Sequence, residues 1–352
     1  MGGVRQKLLA GAVVLVAVAL MATAAEGYIS GKTWTAINRA NRHGPFVGLV
    51  VPNTFEMVPV LNSPSFVASK TIPNLDVQGR RFRFGAIGGQ NVVMVMTGLS
   101  MLNAGLATQM LLSLFRVKGI VHWGIAGNAN EDLQIGDVTI PEYWAHLSLW
   151  NWQRYGDGKE NELPLEAAGD YTREYGFLNF SDYTVGQGNP ALAANELNSI
   201  WYQPEEIFPA SGVPEERQHA FWVRASKRYY ALAAKLEGME LPACVNGTTT
   251  CLPRAPRVVR VSRGCSGNVF LDNARYRQFL RTKFECTPIE MESAAVALVA
   301  YQQGVPFLTI RSLSDLAGGG SALGNEASTF ISIAAQNAVD VMLKFVPLLK
   351  EQ

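Results

Sequence analysis

The stretch 289-IEMESAAVALVAYQQGVPFLTIRSLSD-315 decides how this chain is read. Two acids, Glu290 and Glu292, open an apolar segment of helical character, 293-SAAVALVAYQQ-303. Glycine and proline interrupt it, and 305-VPFLTIRSLS-314 then runs as a strand that ends on Asp315. Taken singly, each acid has an ordinary explanation. A carboxylate in the first turn of a helix gains about 0.3–1 kcal/mol from the helix dipole, and an aspartate before 318-GGGS-321 bonds turn amides. Jointly, one acid enters a helix and another ends the next strand, so both can face the crevice where sheets of this class bind ligands. Two carboxylates there can divide a chemical task.

Outward from this unit, runs rich in Val, Ile and Phe predict strands at 46-FVGLVV-51, 92-VVMVMTG-98, 119-GIVHWGIAG-127, 136-GDVTIPEYW-144 and 257-RVVRVSRG-264. Helices are predicted over 101–115, 214–237, 292–303 and 325–350. The alternation predicts an α/β fold in one domain, 45–350, with a mixed central β-sheet flanked by helices. The stretch 157–212 is polar and broken by Gly, Pro and Asn, and is expected to be an insertion over one side of that domain. Phe330, Ile331, Ile333, Ala334, Ala338, Val341, Met342 and Phe345 predict that the last helix packs on the sheet.

With 352 residues, 48% hydrophobic, a sizeable core is available. A net charge of +1 without long runs of like charge excludes an electrostatic grip on nucleic acid, so the expected partner is a small molecule. Arg5 and Lys7 precede the apolar stretch 8–21 and the small residues Ala22-Thr23-Ala24, a pattern that predicts a cleavable signal over 1–25. The apolar stretch is shorter than the roughly 20 residues of a membrane span. The expected location is therefore the secretory pathway, extracellular or vacuolar, with no membrane contact after cleavage. Export favours pairing of the four cysteines. Cys244 and Cys251 bracket a short polar loop and are the favoured pair, with Cys265 and Cys286 as the second; free thiols and a metal site are the alternatives. Asn179-Phe180-Ser181 and Asn246-Gly247-Thr248 are glycosylation sequons.

IEMES followed by VPFLTIRSLSD resembles the paired signature of the purine nucleoside phosphorylase and methylthioadenosine/S-adenosylhomocysteine nucleosidase family, usually VEMEA followed by a strand ending in SD. FVGLVV, the turn TGLS, the glycine turn GIAGN, 135-IGDVTIPE-142 and 265-CSGNVFLD-272 occur in the family's order. The signal segment, the cysteines and 143-YWAHLSLWNW-152 are most similar to the plant branch of bark and vegetative storage proteins. This resemblance implies the family's three-layer fold, cleavage of the N-glycosidic bond of a purine nucleoside, a homo-oligomer, and no cofactor, with phosphate left open as a co-substrate.

Residue by residue, the resemblance implies that Glu292 binds two ribose hydroxyls while Met291 packs on the sugar. A charged carboxylate suits vicinal hydroxyls, because charge-assisted hydrogen bonds are about twice as strong as neutral ones. Asp315 would be the acid at purine N7, oriented by Ser314; Phe270 and Leu271 would place the purine, and Ala126 and Gly127 of the glycine turn would line the site. Glu290, two residues before Glu292, would stand behind it. Glu56 falls where the nucleosidases carry the glutamate that activates water. Phosphate needs cations or a nest of amides, and neither 51-VPNTFEMVP-59 nor 97-TGLSMLNAG-105 contains a basic residue, so hydrolysis is favoured over phosphorolysis.

Three positions depart from the family pattern: Ile125 replaces a serine, Asn268 an aspartate, and Gly318 a further aspartate three residues after Asp315. Two functions therefore stand side by side, an exported nucleosidase and a nitrogen-storage protein that kept the fold with little or no catalysis. His122, alone in an apolar strand, is expected to be hydrogen-bonded core. The cluster of Trp144, Trp150 and Trp152 is expected to serve as core or subunit interface.

Overall fold

The computed structural model describes residues 29–183, 197, 199–245, 249–319 and 326–350, without the side chains of 326 and 327. The signal segment, the sequon at Asn246 and part of the expected insertion lie outside the described residues. The chain opens with helix α1 (Gly31–Asn41), strand β1 (Phe46–Val51), helix α2 (Thr54–Asn62) and strands β2 (Phe66–Ala68), β3 (Asn74–Val77), β4 (Arg80–Ile87) and β5 (Gln90–Met96). Helix α3 (Met101–Leu114), the long strands β6 (Val117–Asn128) and β7 (Val138–His146), and short strands β8 (Trp150–Trp152), β9 (Gly176–Asn179), β10 (Ser199–Tyr202), β11 (Glu205–Ile207), β12 (Gln218–Ala220) and β13 (Trp222–Arg224) follow. The remainder is α4 (Lys227–Ala233), β14 (Val258–Ser266), α5 (Ala274–Phe284), β15 (Cys286–Glu290), α6 (Ser293–Gln302), β16 (Phe307–Leu316) and α7 (Glu326–Leu348).

Eleven strands form one mixed sheet in the order β13-β7-β14-β15-β6-β1-β5-β4-β2, with β16 pairing both β6 and β7, and β3 pairing β4. β5, β1, β6 and β16 run parallel, and so do β7, β14 and β15. Antiparallel pairing of β15 with β6 and of β16 with β7 joins the two parallel groups. Every residue of β1 is buried, as expected for a central parallel strand covered on both faces. At Gly48 a β-carbon would lie 2.9 Å from a methyl of Leu111, so the glycine lets α3 press onto β1. The last helix packs largely as its pattern predicts, with Phe330, Ile333, Ala334, Ala338, Val341, Met342 and Phe345 buried, whereas Ile331 is half-buried and lines a cavity instead.

One predicted element is overturned. The range 214–237 is not a single helix: β12 and β13 precede α4 and a 3-10 turn at Ala234–Leu236. β13 pairs antiparallel with β7, so sheet pairing outweighs the helical pattern there, and the helix begins only where the Ser226 side chain accepts the Tyr229 N–H. The approach 286–290 is itself a buried strand, β15. Helices α1, α2 and α5 and strands β2 to β4 have no counterpart among the expected elements.

β9 and β10 of 157–212 pair with β8, which precedes that stretch, to form a separate three-stranded sheet. Its buried Tyr202 packs against Phe279 and Phe284 of α5, with its hydroxyl 2.8 Å from that of Tyr276. Of the tryptophans, Trp144 is fully buried and donates to Thr309, whereas Trp152 is exposed and stacks on Phe180.

All four cysteines are paired as favoured, Cys244 with Cys251 and Cys265 with Cys286. The second pair links β14 to β15 and both its cysteines are fully buried. By loop-closure entropy, a cross-link over 21 residues contributes about 3 kcal/mol and one over 7 about 2 kcal/mol. Urea unfolding of Cys265→Ala/Cys286→Ala is expected to show the larger loss, and of Cys244→Ala/Cys251→Ala the smaller.

Candidate active site

The carboxyl ends of β1, β6 and β16, and the segments that follow β5, β14 and β15, surround one cavity of about 340 Å3. Its lining contains all nine residues singled out in the sequence: Glu56, Ala126, Gly127, Phe270, Leu271, Met291, Glu292, Ser314 and Asp315. Phe270 stands at the rim and is 75% exposed, so a stacked ring would bury a face that solvent now covers.

Glu56 is not the loop acid its surroundings suggest. It occupies the first turn of α2, where Asn53 precedes the helix and its backbone N–H donates to Oε2 at 3.0 Å, a capping-box arrangement. The other oxygen accepts the Ile125 N–H at 2.8 Å. Only 1% of the residue is exposed, and burial pushes its pKa up to about 7 against the opposing charge of Arg311 and the two backbone donors.

Glu292 lies just before α6 but does not cap it. Its Oε1 accepts the N–H of Ser100 at 3.0 Å, across from the turn that leads into α3. Ser100 adopts φ of 86°, a left-handed conformation unfavourable for a residue with a β-carbon, and this aims its N–H at the carboxylate. Glu290 performs the capping instead, accepting the N–H groups of Glu292 and Ser293, each at 2.9 Å, together with the Ser266 hydroxyl. Burial and then the neighbouring Glu290 raise Glu292 to about 7.

Arg311, in the middle of β16 and 1% exposed, is the residue that sequence reading passed over. It pairs with Glu290, lies 3.5 Å from Glu292, and donates to the Ser293 hydroxyl at 3.0 Å and the Ile125 carbonyl at 3.0 Å. Its remaining bond goes to His122 Nε2, while His122 Nδ1 meets the Val50 carbonyl at 2.8 Å. Burial and Arg311 hold the His122 pKa well below its ordinary value, so the ring is neutral and structural, consistent with the expected core role. Gly124 permits this closeness: a β-carbon there would stand 2.4 Å from Arg311 Nη1 and 2.5 Å from Glu56 Oε1.

Asp315 meets the glycine turn at a different residue from Glu56: a β-carbon on Gly127 would lie 3.6 Å from its Oδ2. Its Oδ1 accepts the Ser314 hydroxyl at 2.6 Å, and that hydroxyl also approaches the Ala126 carbonyl at 3.2 Å. Burial, aided by Asp272, raises its pKa against the Ser314 hydrogen bond. The three departures are also placed. Ile125 lines the cavity beside Glu56, Asn268 Oδ1 accepts the Met101 N–H at 3.0 Å, and Gly318 adopts φ of +82° against the backbone of Asn273 and Ala274.

The lining thus holds four carboxylates and, among the described residues, a single cation, Arg311, whose bonds are spent on the protein. Raised carboxyl pKa values make the folded state bind protons that the unfolded chain releases, so this part of the stability is present below about 4.5 and lost as pH rises through about 7. Glu56→Gln should flatten the fall of unfolding free energy between those limits, read from urea titrations at several pH values. Gly124→Ala should lower stability by about 1–3 kcal/mol through overpacking. Gly127→Ala, whose β-carbon would meet that of Ala317 at 3.0 Å, should be milder in the same assay.

A family model described as the Phosphorylase superfamily matches residues 47–347. Bark storage protein A of Populus deltoides is 29% identical over 275 residues, 78% of this chain and 79% of that protein. The 5'-methylthioadenosine/S-adenosylhomocysteine nucleosidase of Geobacillus kaustophilus is 26% identical over 298 residues, 84% of this chain and 95% of that protein. Among solved structures, the Helicobacter pylori 5'-methylthioadenosine/S-adenosylhomocysteine nucleosidase, complexed with a substituted pyrrolidin-3-ol, superposes with a TM-score of 0.56 at 18% identity, covering 85% of this chain and 97% of that one. Futalosine hydrolase of the same organism superposes at 0.55 with 17% identity, covering 87% and 97%. With nearly the whole described domain matched by the family model, and a mixed sheet flanked by helices shared with these structures, the chain belongs to the phosphorylase superfamily.

Proposed function

We propose that this protein hydrolyses the N-glycosidic bond of a purine ribonucleoside. The observation that carries this reading is the placement of two protonatable acids in the lining of one cavity, with Glu56 held by two backbone donors and Asp315 held by Ser314. Glu292 shares the lining and would accept the ribose hydroxyls. In the reaction, Asp315 gives its proton to the purine as the bond to the sugar breaks, and Glu56 takes a proton from the attacking water. The raised pKa of each acid suits both tasks, since each must hold or accept a proton near neutrality.

Water is the favoured nucleophile because phosphate would meet Glu56, Glu290 and Glu292 with no cation to spare. The two disulfides support an oxidising, exported location. Exposed Phe55, Leu99 and Phe270 of the cavity lining, with exposed Leu102 and Leu106 on α3, support association of copies.

A second reading is a storage protein with weak or no catalysis. Ile125 favours it, because an apolar side chain lies next to the acid that should activate water, and so do the relatives named bark storage proteins.

Base release from a panel of purine ribosides, with and without phosphate, separates these readings. Release independent of phosphate is expected, with Glu56→Gln and Asp315→Asn each lowering kcat by roughly 10²–10⁴-fold. The rate should rise with pH through about 7 as Glu56 ionises. Release only with phosphate would overturn the role given to Glu56, and a folded protein inert toward every riboside would favour storage.

A further inference from the structure

A second cavity, about 490 Å3 and so larger than the first, opens between the turn after β6 and helix α5. Asn130, Glu131 and Asp132 form one wall, and Arg275, Arg277 and Arg281 of α5 form the other. Positions 277 and 281 are four apart and share a helix face. Arg277, with a side chain 11% exposed, donates through Nη1 to the carbonyls of Ala317 at 2.7 Å and Gly319 at 2.8 Å. Its approach to Glu131 is loose, at 3.7 Å, and that carboxylate is 78% exposed. Arg281 bonds described residues through Nη1 alone, at 3.2 Å to the Glu285 carbonyl, 3.3 Å to the Thr287 hydroxyl and 3.4 Å to the Cys286 carbonyl. Its Nε and Nη2 are left unspent among the described residues. A guanidinium edge with unspent N–H groups fits the planar spacing of carboxylate or phosphate oxygens. Three guanidiniums face two exposed, solvent-screened acids, so the groove favours an anion.

We propose that this groove is an anion-binding site, distinct from the cavity of Glu56 and Asp315, that takes a small ligand bearing a carboxylate or phosphate between Arg277 and Arg281. The acids on the facing wall select a ligand with hydrogen-bond donors at its other end. Arg277 also grips the carbonyls of Ala317 and Gly319, so an anion drawn onto it competes for the loop that follows Asp315.

Calorimetric titration of the full-length protein with inorganic phosphate, glycerol phosphate and succinate tests this, repeated on Arg281→Gln and Glu56→Gln. Saturable binding of at least one probe is expected, weakened about tenfold by Arg281→Gln and unchanged by Glu56→Gln. Preference for the phosphates or for succinate then assigns the anion. Absence of binding by all three probes, or binding indifferent to Arg281→Gln, would overturn the proposal, and so would binding markedly tightened in Glu56→Gln, which would place the anion in the first cavity, where that carboxylate opposes it. If Arg281→Gln does not fold, Arg277→Lys, which keeps the charge and loses the fork, carries the same expectations. Base release from nucleosides is measured separately, so failure here leaves that reading untouched.

Discussion

A single guanidinium, that of Arg311, organises the ends of the central strands. A buried ion costs several kcal/mol unless its donors are matched, and breaking a buried pair is more damaging than never having built one. Arg311 meets that demand by drawing in Ser293 at the start of α6, the Ile125 carbonyl and His122 of β6, Glu290 at the end of β15, and Glu292 just beyond it. These groups come from segments far apart in the chain, and only the assembled sheet brings them within reach. The neutral state of His122 follows from its burial and then from the same charge, since a second cation beside Arg311 is unfavourable.

The two glutamates of IEMES show how position divides labour between neighbours. Glu290 is enclosed by the Ser266 hydroxyl, two backbone N–H groups and the guanidinium, which leaves its oxygens little capacity for anything else. Glu292, two residues on, has one close donor, the Ser100 N–H, and a second oxygen 3.5 Å from Arg311. One carboxylate therefore builds the corner of the sheet, and the other keeps lone pairs for a ligand. Glu290 also occupies the helix terminus that would otherwise capture Glu292.

Much of this was legible in the sequence where a single physical cause dominates. Strands such as FVGLVV announce themselves because both faces are buried, and helix α6 because its apolar run is rich in alanine, the best helix former. The range 214–237 was misread because its strands exist through pairing with β7, a long-range contact that no local pattern contains. The cavity residues were found through resemblance to a family signature, whereas Arg311 lay in plain view as a charged residue inside an apolar strand, a rare event that asks for a buried partner. Glu56 carried a further signal, Asn53 three residues before it, which marks a helix start and not a loop. Helix α5 was missed altogether, and its arginines with it, since its mean hydropathy is low and its apolar residues Phe279, Leu280 and Phe284 are few.

Gly318 bears on how freely this site can change. At φ of +82°, a β-carbon would fall 2.4 Å from the Ala274 nitrogen and 2.5 Å from the Asn273 carbonyl carbon, atoms of main chain that cannot rotate aside. The segment beyond Asp315 and the start of α5 are therefore a matched pair of surfaces, fitted at the level of backbone. An acid cannot be introduced at 318 by one codon change without displacing α5, and α5 cannot shift without disturbing the Asn273 cap and the grip of Arg277 on Ala317 and Gly319. Sequence drift in this region is thus constrained to move in blocks, and the path back to the family's usual residue passes through several simultaneous replacements.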